Sequence, residues 1–132
     1  MRLLRWLALG AITLGCGRIE RTSECRALTR TINEGLDDIE LLADASPPEL
    51  AELANRYAAL AKRVRGLSFS GASVEKAAAD YATLLEDTAL ALAPSRPLPG
   101  PDAGRILRPV LANVIKRERP LVGRIEGLCQ SP

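Results

Sequence analysis

The sequence predicts an all-α protein, an antiparallel up-down-up-down four-helix bundle whose fourth helix is kinked. Apolar residues recur every three or four positions in four segments, and proline and glycine separate these segments. No segment of useful length shows the two-residue period of a half-buried strand. Because aromatic residues make up only 3% of the chain, aliphatic and alanine side chains are expected to fill the core.

The first two helices are predicted from their apolar stripes and a start signal. The first runs from about Ile19 to Ala45, and its stripe is Cys25, Leu28, Ile32, Leu36, Ile39 and Leu42. Ser46 is the expected N-cap of the second helix, with Pro47 at the first helical position and Glu49 at the capping-box position. The second stripe is Leu50, Leu53, Tyr57, Leu60, Val64 and Leu67.

The third and fourth helices are separated by a proline-rich connection. The segment from Gly66 to Gly71 is a predicted turn, and the third helix follows to about Ala93. Four prolines between residues 94 and 101 predict a stiff surface connection. Asp102 is the expected cap of the fourth helix, in which Pro120 is expected to cause a bend. Pro109 either fits into the first turns or delays the helix start.

The first fifteen residues have the pattern of an export signal. Arg2 and Arg5 supply the positive region, Trp6 to Leu14 the apolar region, and Gly15 the small residue before a cleavage point. The uncharged run is too short to span hydrocarbon, which takes about 20 residues. The sequence therefore predicts a signal peptide at 1–15, a lipidated tether at 16–18 and a bundle domain at 19–132.

The segment Ile12-Thr13-Leu14-Gly15-Cys16 resembles the lipobox of bacterial lipoproteins, with Thr13 where that family prefers leucine. The resemblance implies acylation of Cys16 by chains such as palmitate, and two or more chains give stable anchoring. Gly17 stands where an aspartate would retain such a protein in the inner membrane. The resemblance therefore implies a membrane partner and the cell envelope, with the outer membrane favoured. Ordinary secretion after a nearby cut is the alternative.

Two cysteines remain after lipidation of Cys16, and both lie in the bundle domain. Cys25 is near the start of the first helix and Cys129 at the end of the fourth, two ends that meet in an antiparallel bundle with an even number of helices. Exported proteins occupy an oxidising compartment. We therefore expect a disulfide between Cys25 and Cys129, and two independent reduced thiols are the alternative.

The charge balance argues against nucleic-acid binding. Loss of Arg2 and Arg5 with the signal leaves 16 basic side chains against 16 acidic ones, whereas nucleic-acid binding needs an excess of cations. The segment from residue 20 to residue 44 contains seven acidic and three basic residues, and the segment from 102 to 129 contains six basic and three acidic residues. The rims of the first and fourth helices are therefore expected to form exposed ion pairs.

The chain lacks the residues of the common catalytic sites. It has no histidine, no Cys-x-x-Cys and no glycine-rich phosphate loop. The carboxylate pairs Asp37-Asp38 and Glu86-Asp87 are expected on solvated helix faces, because adjacent helical residues point in different directions. The cluster of Lys116, Arg117 and Arg119 is also expected to be solvated, with contact to anionic lipid head groups or cell-wall polymers as the alternative. We expect no enzyme, catalytic residue, cofactor or metal site.

Several short motifs resemble uncharacterised small helical lipoproteins of myxobacteria. These are Glu24-Cys25 with Leu28 and Ile32-Asn33, the mid-bundle Tyr57 and Tyr81, and the closing segment from Leu121 to Gln130. The resemblance covers nearly the whole mature chain and implies a helical lipoprotein without a known activity. This chain departs from the pattern at Glu126 and Pro120.

Two functions are compatible with these features. The first is a non-catalytic envelope lipoprotein whose disulfide-bonded bundle is an interaction or accessory module for an envelope protein. The second is a periplasm-facing binder of a small apolar ligand or lipid in the bundle core, with Tyr57 and Tyr81 as ligand contacts. A continuous apolar pocket near Tyr57, Tyr81 and Pro120 would favour the second function, and an exposed apolar patch without a cavity would favour the first.

Overall fold

The protein is an all-α four-helix bundle, as predicted. The computed structural model describes residues 16–44, 49–93 and 100–130, and no strand occurs in these ranges. The helices are α1 (Cys16–Ala43), α2 (Leu50–Arg65), α3 (Ala72–Leu92) and α4 (Gly100–Gln130). The predicted signal peptide, the segment with Ser46 and Pro47, and residues 94–99 of the proline-rich connection lie outside the described residues.

Consecutive helices pack side by side, and a disulfide joins the first helix to the last. Contact is most extensive between α2 and α3 and sparse between α1 and α4. Cys25 of α1 and Cys129 of α4 are bonded, with their Cα atoms 5.8 Å apart, so the predicted disulfide is confirmed. The two cysteines are 104 positions apart, and closing a loop of this length stabilises a fold by about 2 to 4 kcal/mol in typical cases.

Aliphatic and alanine side chains fill the core, as the composition predicts. The largest fully buried side chains include Tyr57, Tyr81, Leu28, Ile32, Ile39, Leu53, Leu60, Leu84, Leu85 and Leu92. Buried alanines lie on both helices of the α2–α3 pair: Ala54, Ala61, Ala77, Ala78, Ala82 and Ala89. Small side chains let two helix backbones approach each other, which accounts for the extensive contact between α2 and α3.

The start of α2 differs from the prediction. The N-cap is Glu49, whose backbone is extended at φ −95° and ψ 100°, and whose carbonyl accepts a hydrogen bond of 3.0 Å from the N–H of Leu53. The prediction that α2 starts at Pro47 with Ser46 as its cap is therefore wrong, because α2 begins at Leu50 and has its N-cap at Glu49. A proline disfavours helical backbone for the residue before it, so Pro48 opposes a helix that starts at Pro47.

Helix α4 continues through both of its prolines. Pro109 and Pro120 lie inside the helix, which begins at Gly100 rather than after Asp102. Both prolines are exposed, so water can hydrate the carbonyl groups four residues earlier that each proline deprives of a helical N–H. The bend expected near Pro120 stays a prediction.

Ion pairs join helices that are neighbours in sequence. One joins α1 to α2, one joins α2 to α3, and two join α3 to α4; the pairs are Glu34–Arg63, Arg65–Glu86, Asp87–Arg117 and Asp80–Arg124. Within the described residues no ion pair joins α1 to α4, so the predicted pairing of their rims is wrong. The physical reason is that α1 and α4 contact each other at few positions, while two of the arginines of α4 bind carboxylates of α3.

A glycine permits the close approach of α1 to α2. Gly35 is buried, and a Cβ atom built on it would lie 2.4 Å from Leu60 Cδ1 and 2.9 Å from Leu60 Cγ. Because Leu60 is itself buried, a larger residue at position 35 would force the whole leucine side chain or the helix to move.

Alanine substitution tests this approach. Gly35→Ala is expected to lower the free energy of unfolding by about 1 to 2 kcal/mol, because overpacking outweighs the gain in helix propensity. The matched control is Gly104→Ala in α4, where no atom lies within 4 Å of the added Cβ, and it is expected to raise the free energy of unfolding by about 0.5 to 1 kcal/mol. Urea denaturation measures both, and equal stabilisation by the two substitutions would contradict the packing.

Candidate functional site

A polar cluster lies in the middle of the bundle, where α2, α3 and α4 each contribute one side chain. Tyr57 and Tyr81 are fully buried, and Glu118 is half-buried. The hydroxyl of Tyr81 donates a hydrogen bond of 2.5 Å to Glu118 Oε1. The hydroxyl of Tyr57 is buried and has no hydrogen-bond partner among the described residues. The cluster is therefore only partly satisfied.

Helical spacing places Glu118 in the core. It lies four residues after Val114 and seven before Ile125, and both of these apolar residues are buried. Residues at these spacings share one face of a helix. Sequence reasoning counted Glu118 among the surface charges of the fourth helix and missed it. The signal that could have found it is its position inside the apolar stripe.

Burial shifts the pKa of all three groups in the direction of their neutral forms. Desolvation, with a smaller effect of the negative charge of Glu118, raises the pKa of Tyr57 to about 12. Desolvation and the neighbouring Glu118 raise the pKa of Tyr81 well above its ordinary value. Desolvation also raises the pKa of Glu118, although the hydrogen bond from Tyr81 opposes this shift.

A cavity of about 230 Å³ lies elsewhere, between α3 and α4. Its lining includes the ion pair of Asp87 and Arg117 together with Thr88, Pro109 and Asn113. Neither Tyr57 nor Tyr81, the predicted ligand contacts, lines this cavity. The fold thus brings the two tyrosines together as buried packing residues, and this cavity has charged groups in its wall.

The disulfide end of the bundle is tied by further contacts. Cys25 is buried, and the N–H of Ser70, in the connection between α2 and α3, donates a hydrogen bond of 2.7 Å to Glu24 Oε1. Helix α1 begins at Cys16, so residues 16–18, expected as a tether, form its first turn. At a rise of about 1.5 Å per residue, Cys16 lies about 13 Å along the helix from Cys25.

The charged clusters that the sequence singled out are surface groups. Asp37 and Asp38 are exposed and have no ion pair among the described residues. Glu86 and Asp87 bind different arginines, on α2 and α4. In the basic cluster, Arg117 binds Asp87, whereas Lys116 and Arg119 are exposed and unpaired; the described ranges contain no group of three residues suited to hold a metal ion.

Comparison with known proteins identifies no relative. No protein-family model, no curated protein and no solved structure matches the chain. Among the described helices, none is both long and apolar enough to cross a membrane. The candidate function therefore rests on the residues and their geometry alone.

Removal of the two tyrosine hydroxyls is expected to have opposite effects. Tyr57→Phe deletes a buried polar atom without a partner and is expected to raise the free energy of unfolding by about 1 kcal/mol. Tyr81→Phe, the matched control, leaves the carboxyl of Glu118 without its donor and is expected to lower that free energy by about 1 to 3 kcal/mol. Urea denaturation distinguishes them, and equal destabilisation by both would show that the Tyr57 hydroxyl is satisfied in solution.

The raised pKa of Glu118 gives a signed pH dependence. Between the ordinary glutamate pKa of 4.5 and the raised one, the folded chain binds a proton that the unfolded chain has lost. This contribution to stability is therefore lost as the pH rises through that window. Glu118→Gln is expected to remove it, so the stability difference between variant and wild type grows with pH. Glu75→Gln, at an exposed position, is the control, and a difference that does not change with pH would contradict the assignment.

Proposed function

We propose that the protein is a non-catalytic lipoprotein of the bacterial cell envelope, anchored through acylated Cys16, whose bundle is an interaction or accessory module. The observation that carries this proposal is that only two of the three cysteines are bonded to each other. Cys25 and Cys129 are bonded to each other, which leaves Cys16 at the first residue of α1 without a partner cysteine. A structural disulfide fits a protein that is exported to an oxidising compartment.

The position of Cys16 supports a direct link between anchor and bundle. Helix α1 starts at this residue and continues to Ala43, a length of about 40 Å. The anchor then lies toward the end of the bundle that holds the disulfide. The opposite end, where α1 and α3 finish and α2 and α4 begin, points away from the membrane. The resemblance to small helical lipoproteins of myxobacteria belongs to this same proposal.

Two features support an interaction role. The chain has no histidine, the commonest general base, and the tyrosine hydroxyls are enclosed in the core. Among the described residues, three large apolar side chains are exposed, namely Leu41, Leu90 and Ile115, at 75%, 76% and 38% of their surface. The alternative, an apolar ligand bound in the core, is less well supported because Tyr57 and Tyr81 have no exposed surface.

Fractionation of a bacterial host that expresses the chain with its own leader tests the anchor. The wild type is expected in the membrane fraction, and its intact mass is expected to begin at Cys16 with added acyl groups. Cys16→Ser is expected to leave the membrane fraction or to accumulate as the uncut chain. The double variant Cys25→Ser and Cys129→Ser is the control and is expected to remain membrane-bound. A wild-type product that is cut elsewhere or lacks acyl groups would refute the proposal.

A further inference from the structure

The side of the bundle formed by α1 and α4 carries charges that have no ion pair among the described residues. Helix α1 contacts α2 through the flank with Glu34 and Gly35, and α4 binds α3 through the flank with Arg117 and Arg124. The opposite flanks of α1 and α4 make up what we call the α1–α4 face. At 100° per residue, this face comprises Arg26, Arg30, Asp37 and Glu40 of α1, Asp44 directly after it, and Arg108, Ala112, Ile115, Lys116, Arg119 and Glu126 of α4.

None of these charged residues has an ion pair or side-chain hydrogen bond within the described part of the chain. Glu40 and Asp44 lie at the C-terminal end of α1, where the helix dipole disfavours negative charge, and the last turn of α1 has no basic residue. The charges of the α1–α4 face are therefore not compensated by a close partner within the described residues.

The charges on the two helices are opposite in sign at matched heights. The disulfide sets Cys25 level with Cys129, and the helices run antiparallel from there. Asp37 is twelve residues from Cys25, and Arg119 is ten residues from Cys129; Asp44 and Arg108 are nineteen and twenty-one residues away. At about 1.5 Å per residue, Asp37 and Arg119 differ in height along the bundle by about 3 Å, and so do Asp44 and Arg108.

The sign reverses near the disulfide on both helices. Arg26 and Arg30 lie one and five residues beyond Cys25, and Glu126 lies three residues before Cys129. With increasing distance from the disulfide, the charges on α1 therefore change from positive to negative, whereas those on α4 change from negative to positive. Because both patterns are present on one face, the face is complementary to itself after a rotation of 180° about an axis parallel to the helices.

We propose that the α1–α4 face binds a second copy of this chain in such a two-fold dimer. Helix α1 of each protomer lies antiparallel beside α4 of its partner. Asp37 then faces the partner's Arg119, and Asp44 faces the partner's Arg108. Arg26 and Arg30 face the partner's Glu126, and each contact occurs twice.

The size and composition of the face suit such a dimer. Two helices about 40 Å long and together about 20 Å wide offer about 800 Å² per protomer, the usual size of a specific interface. The exposed Ile115 and Ala112 lie between Arg108 and Arg119 and supply an apolar centre with a charged rim. Because the rim pairs are exposed to solvent, association is expected to weaken as salt rises.

The dimer is compatible with the proposed anchor and does not depend on it. An axis parallel to the helices keeps Cys16 of both protomers at the same end, so two anchors enter one membrane. The two proposals fail separately, because fractionation of Cys16→Ser tests only the anchor and the charge variants below test only the face.

Complementary charge reversal tests the dimer on the full chain in a mild detergent, with sedimentation as the measurement. One variant combines Arg108→Glu and Arg119→Glu, and the other combines Asp37→Lys and Asp44→Lys. Each alone gives the outer half of the face, away from the disulfide, an excess of one sign and is expected to weaken self-association at least tenfold at low salt. An equimolar mixture of the two is expected to form a mixed dimer, because the acidic outer half of one meets the basic outer half of the other.

A matched control reverses charges elsewhere. Lys62→Glu with Glu75→Lys changes exposed, unpaired charges of α2 and α3 and is expected to leave self-association unchanged. A salt series on the unaltered chain tests the same face without any substitution. A wild-type chain that is monomeric at low salt, or a mixture of the two variants that stays monomeric while both remain folded, would overturn the proposal.

Discussion

The covalent bond between Cys25 and Cys129 holds together the two neighbouring helices that contact each other least. Packing of small and aliphatic side chains holds α2 against α3, and ion pairs follow the chain from α1 to α4. The remaining side of the bundle depends on the disulfide, which also sets the heights of α1 and α4 relative to each other. The charges of α1 and α4 lie at matched heights on the α1–α4 face only because the disulfide fixes this register.

The hydrogen bond from Tyr81 to Glu118 plays a similar part between α3 and α4. A half-buried carboxylate is costly unless a donor meets it, and a shift of α4 by one turn would place Glu118 opposite Ala77 or Leu85 rather than Tyr81. The polar pair therefore specifies one register within an otherwise aliphatic core. The unpartnered hydroxyl of Tyr57 beside it shows that this specificity comes at some expense of stability.

The disulfide and the uncompensated charged face, together with the anchor that we propose, fit a module that acts through its surfaces. Aliphatic side chains and the two tyrosines are buried in the core, the described residues include no group of three suited to hold a metal ion, and the cavity between α3 and α4 has an ion pair in its wall. The features that could bind another molecule are therefore on the surface. The exposed apolar side chains and the unpaired charges of α1 and α4 lie there, and the proposed anchor would fix their orientation to a membrane.

The amino-acid pattern alone determined the four helices, their order and the disulfide, because helical periodicity and proline punctuation are local and the two cysteines lie at helix ends that an antiparallel bundle brings together. Helix packing had to be known to show that Glu118 meets the hydroxyl of Tyr81, that Glu49 rather than Ser46 caps α2, and that the charges of the α1–α4 face have no ion pair within the described residues. Sequence shows the sign of a charge and its height along a helix. Whether that charge finds a partner depends on which flank the packing turns toward a neighbouring helix.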